Sequence, residues 1–135
     1  MHPHFHRADL LSREATAAAV EVHKTIGAGL LESIYEKCYL RELELRGIHA
    51  ASQKRVRIEY KGLVFEETLK YGVLVEQCLL VELVGVPQIL PLHQVQLLSY
   101  MRFLNTPVGL LVNFHEEKLA AGVVRMMLPG VNKAS

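Results

Sequence analysis

The spacing of apolar positions changes along this chain, and each change marks an element. From Asp9 to Lys24, Ala15, Ala17, Ala18 and Ala19 favour helix and close packing. Ala8-Asp9, or Ser12 with Glu14 close behind, supplies the start signal. Ile26-Gly27-Ala28-Gly29 breaks this helix. From Leu30 to Arg46 a second helix is predicted, because Leu31, Ile34, Tyr35 and Cys38 recur at steps of three and four. Gly47 suits the left-handed residue that ends a helix. The period then falls to two: Val56, Ile58 and Tyr60 alternate with Arg55, Arg57, Glu59 and Lys61, a half-buried strand. Lys61-Gly62 reads as a hairpin turn, Leu63 to Glu76 as a second strand, and Gln77-Cys78 as a turn. Leu79 to Val84 is a third strand, apolar enough to be central. Pro87 and Pro91 bracket a loop, and a third helix spans Leu92 to Leu104 until Asn105-Thr106-Pro107 stops it. Val108 to Phe114 and Leu119 to Met127 are the fourth and fifth strands, separated by a turn at His115-Glu116-Glu117-Lys118.

The order α-α-β-β-β-α-β-β predicts an α/β fold of α+β character, a mixed sheet of about five strands flanked by helices. Strand three, helix three and strand four fit a right-handed parallel crossover. Residues 9–128 form one domain, with loose tails at 1–8 and 129–135. In the first tail His2, His4 and His6 alternate. An extended strand would set three imidazoles on one side, where they suit a transition metal; the alternative is a tail without function.

Composition narrows the function. With 135 residues, half of them apolar, the chain is long enough for one real core. Fifteen basic side chains nearly cancel fourteen acidic ones, so there is no general attraction to a phosphate backbone. Lys54-Arg55-Val56-Arg57 is a short basic cluster that reads either as a phosphate contact or as a charged strand edge that discourages pairing. Cys38 and Cys78 lie too far apart for a CxxC site and point to a reducing compartment. The start, Met1-His2-Pro3-His4-Phe5-His6-Arg7, lacks the apolar stretch of a signal peptide, and no apolar run is long enough to span a bilayer. A soluble cytoplasmic protein is expected. Mean hydropathy is +0.19, an apolar excess that suits either the core or a subunit interface.

Gly29-Leu30-Leu31-Glu32-Ser33-Ile34-Tyr35 completes a GxxExxY pattern. Glu21-Val22-His23 upstream, and Leu45-Arg46-Gly47, Tyr60-Lys61-Gly62, Leu90-Pro91-Leu92-His93 and Gly109-Leu110-Leu111-Val112-Asn113-Phe114 downstream, stand in the order found in the same family. Over about residues 10–127 the chain resembles the GxxExxY proteins, small PD-(D/E)XK nuclease-like domains. The resemblance implies a restriction-endonuclease-like fold. It also implies a divalent-metal site built from an Asp ending one strand and a Glu in the next. A Lys two residues past that Glu orients the attacking water, and a helical Gln-x-x-x-Tyr supports the site. Carboxylates hold hard cations such as magnesium, and the metal activates water and stabilises charge on phosphate.

The same resemblance identifies Glu82 as the strand Glu and Gln96 and Tyr100 as the helical pair, with Glu32 of the signature reaching the same pocket. It puts Gly72 where the Asp belongs and Val84 where the Lys belongs. Glu76 lies four residues past Gly72, about 13 Å along a strand, too far to replace the ligand. Lys70, two residues back and about 7 Å away, is a candidate for the lost cation only. Three readings follow. The first is a degenerate pseudo-nuclease without cofactor that acts as a binding or assembly protein, as a homo-oligomer or a larger self-assembly. The second is a divergent DNA nuclease, with magnesium or manganese held by Glu82 and Glu32 and supported by Gln96. The third is a noncatalytic nucleic-acid binder.

Overall fold

The computed structural model describes residues 1–134. Along the chain lie α1 (Phe5–Ile26), α2 (Glu32–Leu45), β1 (Ala50–Ser52), β2 (Arg55–Tyr60), β3 (Leu63–Thr68), β4 (Gly72–Val75), β5 (Leu79–Val84), α3 (Pro91–Leu104), β6 (Val108–Asn113) and β7 (Val123–Met127). Five strands make one sheet in the order β1-β4-β5-β6-β7, and β2 and β3 form a separate hairpin. β5 and β6 run parallel and are joined through α3; the other neighbours are antiparallel. The expected mixed sheet of five strands flanked by helices is therefore present, and it is consistent with a restriction-endonuclease-like fold.

Strand alternation divides the core into two layers. Leu79, Val81 and Leu83 of β5, with Val108, Leu110 and Val112 of β6, face α1 and α2. There they meet Ala8, Ala15, Ala18, Ala19, Tyr35, Tyr39 and Leu43. The alanines let α1 lie close to the sheet. The Tyr39 hydroxyl donates to the Ala15 carbonyl at 2.9 Å, so a fully buried phenol is satisfied. Leu80 and Leu111 face the other way, against Leu97 and Met101 of α3, Val56 of β2 and Leu69.

Several expectations change. The run 63–76 is two strands in two sheets, separated by a tight turn. Tyr71 takes a left-handed conformation there, with φ of 62°. A tyrosine gives no sequence signal for such a turn, since Gly or Asn usually supplies one. β1 was not expected, because Ala50-Ala51-Ser52 has neither alternation nor branched residues. Residues 119–127 begin as a 3-10 turn at Leu119–Gly122, and only Val123–Met127 is strand.

The segment 1–8 belongs in part to the folded domain. α1 already starts at Phe5, which is buried with Ala8. The His2 amide donates to the carbonyl of Val131, itself buried, at 2.8 Å, so residues on both sides of the expected boundaries pack together. Ser135 lies outside the described residues. His4 sits at the start of α1 and His6 in its first turn, so the three histidines do not share a strand face. Among the described residues no group of three His, Cys, Asp or Glu is placed to hold a metal ion. No helix among them is long and apolar enough to cross a membrane.

Candidate functional site

The antiparallel register of β4 and β5 sets Gly72 directly opposite Glu82. The row continues through Leu111 of β6 and Val124 of β7. Alternation puts Glu82 on the α3 side of the sheet with Leu80 and Val84, both part of the cluster around Leu69, Leu97, Met101 and Leu111. The carboxylate thus rises from an apolar floor. Burial pushes its pKa above the ordinary carboxylate range. No cation or hydrogen-bond donor among the described residues offsets that shift.

The place opposite is closed. A Cβ added at Gly72 would start 2.9 Å from Leu69 Cβ, closer than such atoms pack, and 3.5 Å from its Cδ1, an ordinary contact. Leu69 is buried, and its amide donates to the Lys54 carbonyl at 2.9 Å, which ties the turn to the base of the hairpin. The backbone fold that leaves Gly72 bare is therefore the one that lays Leu69 against the position paired with Glu82.

The other candidate residues are dispersed. Val84 is partly buried in the same apolar cluster. Lys70 is exposed in the turn before β4, with Nζ 5.3 Å from the centre of the Tyr71 ring. It shares no strand face with Gly72, so distance along a strand does not place it near Glu82. Gln96 lies on the exposed side of α3, where its Nε2 donates to the Tyr100 hydroxyl at 3.4 Å. The inward side of that helix is Leu97 and Met101. Gln96 and Tyr100 thus meet each other, while Gln96 faces away from the sheet.

Glu32 opens α2 and comes to β5 from the α1–α2 layer. Its Oε1 lies 2.6 Å from where a Cβ of Gly85 would stand, so the missing side chain at 85 makes room for this carboxylate. Gly85 is three residues past Glu82, about 10 Å of strand, and opposite in alternation. Tyr35 serves the fold. Its ring stacks on Phe114 at 4.2 Å, and its hydroxyl donates to the Gly27 carbonyl at 2.6 Å while accepting from the Leu30 amide at 3.1 Å. The signature tyrosine thereby fixes the α1–α2 loop to the end of β6. His23 contacts the Glu116 carbonyl at 2.7 Å, and His93 Nδ1 accepts from the Leu90 amide at 2.8 Å.

Some residues here carried no functional signal in the sequence. Asn113 is buried beside Val84; its Nδ2 donates to the Val86 carbonyl at 2.8 Å, and its Oδ1 accepts from the Val86 and His115 amides. It fixes the loop after β5. Glu36 is buried with Oε2 unpartnered, and burial raises its pKa against a smaller opposing effect of Lys37. Glu76, at the far end of β4, binds Arg7 at 2.8 Å and accepts from the His49 amide at 3.0 Å. It lines a cavity of about 550 Å³ with His4, Arg7, His49 and Cys78, separate from Glu82.

A family described as the PD-(D/E)XK nuclease superfamily matches residues 9–126. The chain belongs to the PD-(D/E)XK nuclease superfamily. No curated protein and no solved structure matches it. Within that family's fold, Gly72 at the start of β4 and Glu82 of β5 stand at adjacent positions of one sheet.

Proposed function

We propose that this chain is a catalytically degenerate PD-(D/E)XK domain of the GxxExxY type that works by binding and self-assembly rather than by cutting nucleic acid. The observation that carries the reading is the closed position opposite Glu82, where Leu69 stands in the space a second carboxylate would need. A divalent cation of the magnesium kind takes about six oxygen ligands in strict geometry, with carboxylates anchoring it. Glu82 offers one carboxylate, Gly72 none, and Glu32 approaches from the other layer. Val84 supplies no charge and Lys70 stands in solvent, so no cation is poised to orient water. The residues do not fit a metal site.

The retained Glu82 favours a second reading, a divergent nuclease using magnesium or manganese with Glu32, Glu82 and Gln96. The outward position of Gln96 and the unmatched carboxylate weigh against it. A nucleic-acid binder is less favoured still. Arg55 pairs with Glu66 at 3.5 Å and Arg57 with Glu59 at 3.6 Å, so the short basic cluster is largely neutralised.

Self-assembly is supported by large apolar side chains left exposed on α3 and at the hairpin, among them Leu92, Val95, Phe103, Tyr60 and Leu63. Calorimetric titration of magnesium or manganese into the protein tests the first half of the proposal. The expected result is no stoichiometric binding; one-site binding that disappears in Glu82→Ala would overturn it. Native mass spectrometry tests the second half, with an oligomer expected and a strict monomer counting against it.

A further inference from the structure

We infer that the outer face of α3 is a two-fold interface, and that α3 of a second copy of this chain occupies it in antiparallel orientation. The inference rests on the self-assembly reading above and names its surface. α3 shows Leu97 and Met101 to the core and leaves Leu92 72%, Val95 57% and Phe103 51% exposed. At 3.6 residues per turn, Leu92, Gln96, Ser99 and Phe103 fall within roughly 60° of one line along the helix. Apolar residues sit at both ends of that line, and short polar ones sit at its middle.

This spacing is self-complementary. A two-fold axis crossing the helix midway between Leu97 and Leu98 brings Leu92 against Phe103 of the second copy. The same axis brings Gln96 against Ser99, with Val95 on one flank of the seam and Tyr100 on the other. The apolar ends then cover one another twice. At the centre the small Ser99 allows the helices to approach, and its hydroxyl and the Gln96 amide are hydrogen-bonding partners for each other. Every contact occurs twice, as an isologous interface requires.

Charge and area favour the same occupant. Arg102 is the only Asp, Glu, Lys or Arg on α3, so a second copy brings little repulsion and a phosphate backbone finds little to hold. β2 packs beside α3 through Val56 and Ile58. On the same hairpin face the register continues with Ile58 opposite Phe65 and Tyr60 opposite Leu63. Tyr60 is 61% and Leu63 59% exposed, beyond the cover of α3. A large side chain presents roughly 150–250 Å² when fully exposed, and the five named here are between 51% and 72% exposed. Together they offer about 450–750 Å², at or above the usual patch on a monomer and approaching the roughly 800 Å² per partner of a stable interface.

The test uses the full chain with Leu92→Glu and Phe103→Lys, both at exposed positions, and native mass spectrometry across micromolar concentrations. Circular dichroism melts show that each variant is folded. Each variant alone should weaken association by roughly tenfold or more, as loss of an interface anchor does. Mixing the two should restore a heterodimer, because Glu at 92 then meets Lys at 103 while the second Leu92–Phe103 contact stays intact. Leu10→Glu, at an exposed apolar position on α1, should leave association unchanged. A wild-type monomer overturns both this inference and the self-assembly reading. A wild-type oligomer that persists in both variants overturns the α3 surface alone. Variants that become monomeric and do not combine on mixing overturn the antiparallel pairing.

Discussion

Removing the charge at Glu82 should stabilise this protein at neutral pH. Glu82 lies on the sheet face that carries Leu80 and Leu111, no partner among the described residues compensates its charge, and burial alone raises its pKa. An ionised group held there costs free energy that Gln at the same position does not incur. Leaving a buried polar group unpartnered costs about 1–3 kcal/mol when it is neutral and more when it is charged; Gln keeps the first cost and escapes the excess, and Glu82 keeps some solvent contact, so Glu82→Gln should gain about 1–2 kcal/mol at pH 8. For a chain of this size that is roughly 3–8 °C in Tm. The sign with pH follows from linkage. The folded pKa lies above the unfolded one, so the folded state holds the proton more tightly. Its stabilising effect is complete below the unfolded value and is lost as pH rises through the folded value. The advantage of Glu82→Gln should therefore be absent near pH 4 and open as pH rises. Urea unfolding of wild type and variant from pH 4 to 8 measures the difference and cancels the contributions of other groups, including Glu36. A variant equal to or less stable than wild type at pH 8 would show that Glu82 has a partner, and would refute the reasoning.

Further predictions concern the neighbouring contacts. Gly72→Ala should cost about 1–3 kcal/mol by forcing its new Cβ against the Cβ of Leu69, and Leu69→Gly, which removes that atom, should relieve part of that cost in the double variant; additive effects in denaturation would contradict the contact. Gly85→Ala should cost less, under about 1 kcal/mol, because what it displaces is the flexible end of Glu32; a loss as large as at Gly72 would show that Glu32 is rigidly held. Tyr35→Phe should lose about 1–2 kcal/mol through the Gly27 and Leu30 backbone groups, seen as a lower urea midpoint with unchanged slope.

The helices and the central strands could be read from the sequence because their patterns are strong. Leu79-Leu80-Val81 is apolar on both faces, as a strand covered on both sides must be, and Asn105 ends α3 in the left-handed conformation its type tolerates. The break at Leu69-Lys70-Tyr71 was not legible, since Tyr71 adopts a positive φ that its type does not announce. That break also sets Leu69 against Gly72. The resemblance implied an Asp and a Lys at positions 72 and 84, where the sequence has Gly and Val, whereas the approach of Leu69 to position 72 is a property of the turn. Gln96 and Tyr100 were correctly placed one helical turn apart. Spacing alone gave no direction for that face, and the inward positions of α3 belong to Leu97 and Met101. The histidines at 2, 4 and 6 suggested one side of a strand only while the helix start was set too late.

The central claim is that the PD-(D/E)XK fold is kept here without its cutting chemistry. Cleavage of single- and double-stranded DNA by the wild-type protein with magnesium or manganese tests it most directly, with Glu82→Ala prepared alongside. No metal-dependent products are expected above the level of the Glu82→Ala control. Metal-dependent cleavage by wild type that Glu82→Ala abolishes would contradict it.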